Sequence, residues 1–380
     1  MNLHASAAEF RSRFAGLRDM TYLASCSQGA LSDELSSALA EFQRSMLELG
    51  NPWGCWAAKV EEARVAFAAH IGASPDEIAI VSCASEAAYQ VASGQAYTAR
   101  DGIVTTELEF PSIAYVWLGQ RPRGASVRFA DTHDGYADLD GYAAAIDETT
   151  ALVSAPLVTY RHGQRFPVAA IAELAHDRGA RMFVDVYQAA GVEPIDVTDL
   201  GCDYLVAGTL KYLLGVPGLA FLYVRAGMRH DVDPQLTGWF GRRDPFSFDP
   251  RKLDFADTAR RFEVGSPSVA AAYGAIAGLT LLSQLDATAI REHVATLTAS
   301  LDEQLRAAGE RIESPADAAR RGPQVAVHDE DPVALADYLA ARRIITSPRT
   351  DLLRIAVHYY SNQSDVDTVV SAIADYRAGR

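Results

Sequence analysis

Cysteine is scarce in this chain of 380 residues. The four present, Cys26, Cys55, Cys83 and Cys202, lie far apart with no CxxC spacing, which excludes a disulfide framework and a thiolate zinc site. Positive charge is in deficit as well: 34 Lys plus Arg face 49 Asp plus Glu, for a net charge of -15. A surface this acidic repels phosphate backbones and anionic lipid, so neither nucleic acid nor a membrane surface is an expected partner. No apolar run reaches the roughly 18 residues that a spanning helix needs. Met1 to Arg18 lacks the apolar core of a secretory signal, so the expected location is cytoplasmic. GxGxxG, Walker, GxSxG and HExxH motifs are all missing, and the nine histidines do not cluster. No dinucleotide fingerprint, no Ser–His hydrolase site and no metal site are therefore expected.

What is present is a large hydrophobic share, 49% of residues against 22% charged, enough for a sizeable core. Apolar residues at three- and four-residue spacing predict helices over 31–50 and 56–72, each closing on glycine, Gly50 and Gly72. From residue 78 short apolar runs alternate with helical ones. Strands are expected at 78–82, 102–106, 126–130, 151–157, 181–186, 204–207 and 219–224, and helices at 86–93, from 112, at 139–146 and at 168–178. This rhythm predicts an α/β domain with a mostly parallel seven-stranded sheet, in which ligands bind at the carboxyl ends of the strands. Residues 238–265 read as a long irregular excursion, and 268–285 as a long helix suited to bridging two domains. Helices at 288–308, 332–342 and 364–377 with short strands between them predict a smaller α+β unit. The expected division is an N-terminal arm 1–30, a large domain 31–267, a linking helix 268–287 and a small domain 288–380.

Two residues at strand ends stand out. Asp185 closes the run 181–186, and Lys211 follows the strand at 204–207 inside the apolar segment Leu210-Lys211-Tyr212. Taken alone, Asp185 is equally a helix cap, and Lys211 equally a surface lysine that snorkels outward. Together they match one chemistry. A buried amine of lowered pKa is what Schiff-base formation needs, and a carboxylate facing a pyridinium nitrogen is what pyridoxal phosphate needs. Three further segments fit. Ser85 opens a helix after a strand, where backbone amides bind a phosphate, although an ordinary cap has the same sequence. Phe110 follows a strand, and its face can cover a ring or fill the core. Arg354 interrupts an apolar strand, and can pair with a substrate carboxylate or an internal acid.

The ordered segments SEAA (85–88), EFPS (109–112), DVYQ (185–188), GTLKYLLG (208–215), GWFG (238–241), RFEVGSP (261–267) and LRIAVHYYSN (353–362) resemble the class V aminotransferase-fold enzymes. These are pyridoxal-phosphate enzymes of fold type I, among them cysteine desulfurases, selenocysteine lyases, kynureninases and isopenicillin-epimerase-like proteins. The resemblance runs from residue 21 to residue 373. It implies pyridoxal 5'-phosphate on Lys211, Asp185 at the ring nitrogen, Gln188 at the phenolic oxygen, and Ala84 and Ser85 at the phosphate. Phe110 then stacks on the ring and Trp239 lies near the phosphate. Arg354 binds the substrate carboxylate with Arg349 as a second candidate, and Tyr160 lies near the substrate. Ser266 falls where the family reaches the phosphate of a neighbouring subunit, which implies a homodimer with shared active sites.

The departures bear on the reaction. Leu210 stands where the family often has His or Tyr before the lysine. The segment 344–353, where desulfurases carry a catalytic cysteine, has none, and no cysteine follows Cys202. Cys83, beside the phosphate segment, reads as a small apolar residue. A lyase or aminotransferase acting on an amino acid is the expected function, and not a Cys-dependent desulfurase. Transamination, β-elimination, kynureninase-like Cβ–Cγ cleavage and epimerisation all stay open, with EFPS and GWFG leaning to the kynureninase and epimerase-like branches. A catalytically silent ligand-binding homologue is the reading from another class, and the presence of both Lys211 and Asp185 weighs against it.

Overall fold

A computed structural model describes residues 5–133, 135–229 and 233–379. Its centre is a seven-stranded sheet whose strands, in chain order, are β1 (Ile78–Val81), β2 (Gly102–Thr106), β3 (Ser126–Ala130), β4 (Thr150–Pro156), β5 (Arg181–Asp185), β6 (Tyr204–Gly208) and β7 (Ala220–Val224). Their spatial order is β1-β7-β6-β5-β4-β2-β3. All neighbours run parallel except β7, which is antiparallel to both β1 and β6. Six of the seven are buried along their whole length or nearly so, which is why they read as continuous apolar runs and not as alternating ones. This is the α/β architecture expected from the alternating pattern.

Helices cover both faces. Helix α1 (Asp33–Leu49) begins where the Ser32 hydroxyl accepts from the Leu35 amide, and ends at Gly50 in the left-handed region. Helices α2 (Trp53–His70), α3 (Ala84–Gly94), α4 (Pro111–Leu118), α5 (Leu139–Ala145) and α6 (Val168–Asp177) follow. The long helix α7 (Val269–Ser283), within the segment expected to link two domains, carries Ala, Gly and Leu on all its sides and packs against α1 and α2. Gly278 makes this possible. A side chain there would overlap the carbonyl of Leu213, so the absence of one lets α7 press on the loop that carries Lys211.

After α7 the chain bends by 87° into α8 (Ala287–Ala307). The small unit adds an antiparallel sheet, β8 (Gln324–His328), β9 (Ser347–Arg349) and β10 (Leu352–Ala356), in the order β8-β10-β9. It is completed by helices α9 (Pro332–Ala340) and α10 (Gln363–Ala378). The N-terminal arm reaches this unit. Thr21 and Tyr22 pair in parallel with Ile344 and Ile345, Ala24 bridges to Ala356, and Arg11 forms an ion pair with Asp365 at 2.8 Å. Among the described residues, no single helix is long and apolar enough to cross a membrane.

Candidate active site

The carboxyl ends of β4, β5 and β6 and the start of α3 surround a cavity of about 270 Å³. Its walls include Ala84, Ser85, Phe110, Tyr160, Asp185, Gln188 and Lys211, together with Cys83, Tyr187 and Leu210. Seven residues singled out from the sequence thus meet at one place. A larger hollow of about 450 Å³ under the end of α7 has mainly aliphatic walls and holds no lysine.

The lysine sits on a tightly pinned loop. The Thr209 hydroxyl donates to the Val216 carbonyl at 2.6 Å, the Gly215 amide donates back to Thr209 at 2.8 Å, and the Gly29 amide of the arm donates to Leu210 at 2.9 Å. Lys211 Nζ lies 4.4 Å from the ring centre of Tyr187 and 5.4 Å from that of Phe110. Burial pushes its pKa down to about 8, and the positive charges of Arg354 and Arg349 push the same way, against the attraction of Asp185. An amine so placed reaches its nucleophilic, neutral form much closer to physiological pH than an ordinary lysine.

Asp185 is only 6% exposed and, among the described residues, forms no ion pair at contact distance. Its Oδ1 accepts from the Tyr187 amide at 2.7 Å. Burial raises its pKa, opposed by that amide and by Lys211. Gln188 donates from Nε2 to the Cys26 carbonyl of the arm at 3.0 Å, and its Oε1 is buried without a partner. Helix α3 opens at Cys83 with no side-chain cap, so the amides of Ala84, Ser85 and Glu86 are free to bind an oxyanion beside the Ser85 hydroxyl. Phe110 caps α4 without a side-chain hydrogen bond and meets Tyr160 edge-on at 5.1 Å.

Arg354 is 1% exposed, yet among the described residues only neutral groups hydrogen-bond to it. Nη2 donates to Ser347 Oγ at 2.6 Å, Nε to the Ser347 carbonyl at 3.3 Å, and Nη1 to the Tyr160 carbonyl at 2.8 Å. Ser347 lies directly across the β9–β10 ladder from Arg354. A buried guanidinium with no internal carboxylate is ready for an external one. Arg349 shares the strand face of Ser347, two residues on, and is exposed. Four expected site residues are not in the cavity wall: Arg354, which reaches Tyr160 in that wall, Arg349, Trp239 and Ser266. Trp239 packs in an aromatic group with Trp53, Phe240, Phe246 and Phe248, and Ser266 is exposed just before α7. Neither lines the cavity within one chain.

Sequence reasoning passed over Glu109, Ser154, Tyr187 and Ser347. Glu109, 2% exposed, accepts from the Phe110 amide and the Ser154 hydroxyl, both at 2.9 Å. Tyr187 can lie against the lysine only because Gly208 has no side chain, since a β-carbon there would overlap the phenol ring. The pairing of a glycine in GTLK with a tyrosine in DVYQ was the available signal. Among the described residues no group of three His, Cys, Asp or Glu could hold a metal.

The free amides, the hydroxyl, the orphaned Gln188 oxygen, the depressed amine and the buried carboxylate fit pyridoxal phosphate end to end. Comparison with known proteins agrees. A Bacillus subtilis protein described as an uncharacterized aminotransferase, YcbU, is 37% identical over 96% of this chain and 97% of its own length. Kynureninases and cysteine desulfurases occur among more distant relatives. The apo structure of a cysteine desulfurase from Thermococcus onnurineus NA1 superimposes with a TM-score of 0.91 over 100% of both chains at 22% identity. A C-DES mutant with glycine covalently linked to its PLP cofactor gives 0.88 over 96% of this chain and 99% of its own, also at 22%. At that identity the likeness speaks for the fold, which is fold type I. The family model for class-V aminotransferases matches residues 29–369, and the chain belongs to that family.

Proposed function

We propose that this protein is a pyridoxal-phosphate enzyme that labilises a bond at Cα or Cβ of an amino acid, as a lyase or aminotransferase. The observation that carries this reading is the single cavity shared by Lys211, Asp185 and the open start of α3. The cofactor is pyridoxal 5'-phosphate, which supplies an electron sink for negative charge at the substrate Cα. The chain supplies everything else. The amides of Ala84 to Glu86 and the Ser85 hydroxyl would anchor the phosphate, Phe110 would cover the ring, and Gln188 would serve its phenolic oxygen. Asp185 holds a proton at the ring nitrogen by opposing its loss with a negative charge. Lys211 would hold the cofactor, and its depressed pKa would suit it to move a proton at the substrate Cα. Arg354 binds the substrate carboxylate, with Arg349 at the rim and Tyr160 alongside.

Persulfide chemistry of the desulfurase kind is disfavoured by the absence of any cysteine after Cys202. The aromatic walls formed by Phe110 and Tyr160 favour, as a second reading, a kynureninase-like cleavage of a substrate with an aromatic side chain, though Leu210 offers no polar group beside the lysine. Assembly as a homodimer is supported by the apolar surface around Trp239, where Phe246 and Phe248 are 65% and 66% exposed. In that dimer Trp239 and Ser266 serve the partner's phosphate. The expected setting is the cytoplasm, with no nucleic acid or membrane partner. Incubation of the yellow purified protein with a panel of amino acids, with separate assays for ammonia, pyruvate, sulfide and keto-acid acceptor use, identifies the reaction. A colourless protein that takes up no pyridoxal phosphate would overturn the reading.

A further inference from the structure

Two carboxyl groups are buried at the mouth of the sheet, and neither has a cation at ion-pair distance among the described residues. Asp185 ends β5. Glu109 lies three residues beyond β2, in a turn closed by its own amide donating to Thr106 at 3.1 Å. Glu109 is tied to Ser154, two residues before Pro156, which lies beside Asp185 across the β4–β5 ladder, so two negative charges on these buried groups repel, and the pair holds one charge at low cost and two only at high cost. The surroundings decide which member keeps it. Asp185 has Lys211 nearby and an amide hydrogen bond from Tyr187. Glu109 has only neutral partners, the Phe110 amide on one oxygen and Ser154 on the other. The titratable groups facing it are Asp185 from β5 and Tyr142 from α5, whose hydroxyl donates to the Ser154 carbonyl at 3.0 Å. Neither is a cation.

We propose that Glu109 is a positioning residue that stays protonated at neutral pH and so leaves the negative charge of the pair on Asp185. The contact to Ser154 joins a carboxyl oxygen to a hydroxyl at 2.9 Å, and a protonated carboxyl can keep that contact because a hydroxyl both donates and accepts. Burial and the charge of Asp185 hold the Glu109 pKa up at about 8, in keeping with the geometry. The role assigned to Glu109 rests on reading Asp185 as the partner of the cofactor's ring nitrogen, because a second ionised carboxylate would move the proton from Glu109's site onto Asp185.

The test reads protonation directly in the cofactor-free protein. Infrared difference spectra are expected to show a buried carboxylic-acid band at neutral pH that fades as pH rises through about 8 and is missing in Glu109→Gln. Absence of any such band from the wild type at neutral pH overturns the proposal, as does its survival in Glu109→Gln. Should that variant fail to fold, isotope labelling of glutamate carboxyl carbons in the wild type gives the same answer by NMR. One glutamate resonance must remain in its protonated position at neutral pH, and a spectrum in which all are ionised refutes the assignment. Glu109→Gln, which imitates the protonated form, is expected to keep affinity for pyridoxal phosphate within about twofold of wild type. A loss beyond roughly tenfold with the fold intact would mean that an ionised Glu109 is needed. Asp185→Asn separates the two readings. It should lower the pH at which Glu109 titrates whether or not Asp185 serves the cofactor.

Discussion

At the scale of single residues, the site is a problem in charge. Lys211 must lose a proton before it can attack, and its surroundings bring that event down from the usual 10.5 to about 8. The sign is clear: the reactive, neutral fraction grows as pH rises through the folded value and is nearly complete above it. Recapture of pyridoxal phosphate by cofactor-free protein is therefore expected to accelerate up to about pH 8 and then level off. Stopped-flow absorbance measures this, and a rate still climbing towards 10.5 would contradict the electrostatics. Arg349→Ala removes one of the two charges that depress the lysine, so its rate profile should shift to higher pH. Asp185→Asn should bind cofactor yet lose several kcal/mol, on the order of a thousandfold, in turnover. Wild-type turnover in that variant would reduce Asp185 to a loop cap. Lys211 and Asp185 were legible because an ionisable residue inside an apolar run is unusual. Glu109 was not. It is one of two glutamates in ELEFPS, and only the turn after β2 shows which of them is buried.

At the scale of elements, the strand ladder of the small unit aims an arginine that the large domain meets through the carbonyl of Tyr160. Ser347 and Arg354 face each other across β9 and β10, and the serine uses both its hydroxyl and its carbonyl to hold the guanidinium. Loss of one such hydrogen bond to a charged group is worth about 1.5–3 kcal/mol. Ser347→Ala is thus expected to raise KM for the amino acid roughly ten- to a hundredfold with kcat mostly kept, in steady-state kinetics. A fall in kcat at unchanged KM would show that Arg354 does not bind ground-state substrate. Strand and helix positions were readable from apolar periodicity, which is local. The Ser347 partnership was not, since register between antiparallel strands is set by tertiary pairing and leaves no mark in either segment alone. The same limit applies to α7. Its all-round apolar composition distinguishes a helix that is buried from one that is exposed, but not which domain buries it.

At the scale of the whole molecule, one chain does not complete the arrangement that the family resemblance implies, because Trp239 and Ser266 stand away from the cavity. A mixture of Lys211→Ala with a bulky substitution at Ser266 tests the shared-site dimer. Each variant alone is inactive in that scheme, and mixed dimers regain one intact site, so activity should reappear on subunit exchange. Verified exchange without recovery, or a fully active monomer by light scattering, would sink the shared site. The N-terminal arm has a different kind of consequence. Within nine residues it is laddered to the small sheet at Thr21 to Ala24 and hydrogen-bonded to the cofactor pocket through Cys26 and Gly29. Ordering of the pocket and ordering of the amino end are then linked functions, and linkage is reciprocal. Cofactor that steadies Gln188 and Leu210 steadies the arm, and an arm that frays weakens the hold on cofactor. Limited proteolysis would sense the state of the site from the opposite end of the chain, with the first cuts near residue 20 marking molecules that have lost their cofactor.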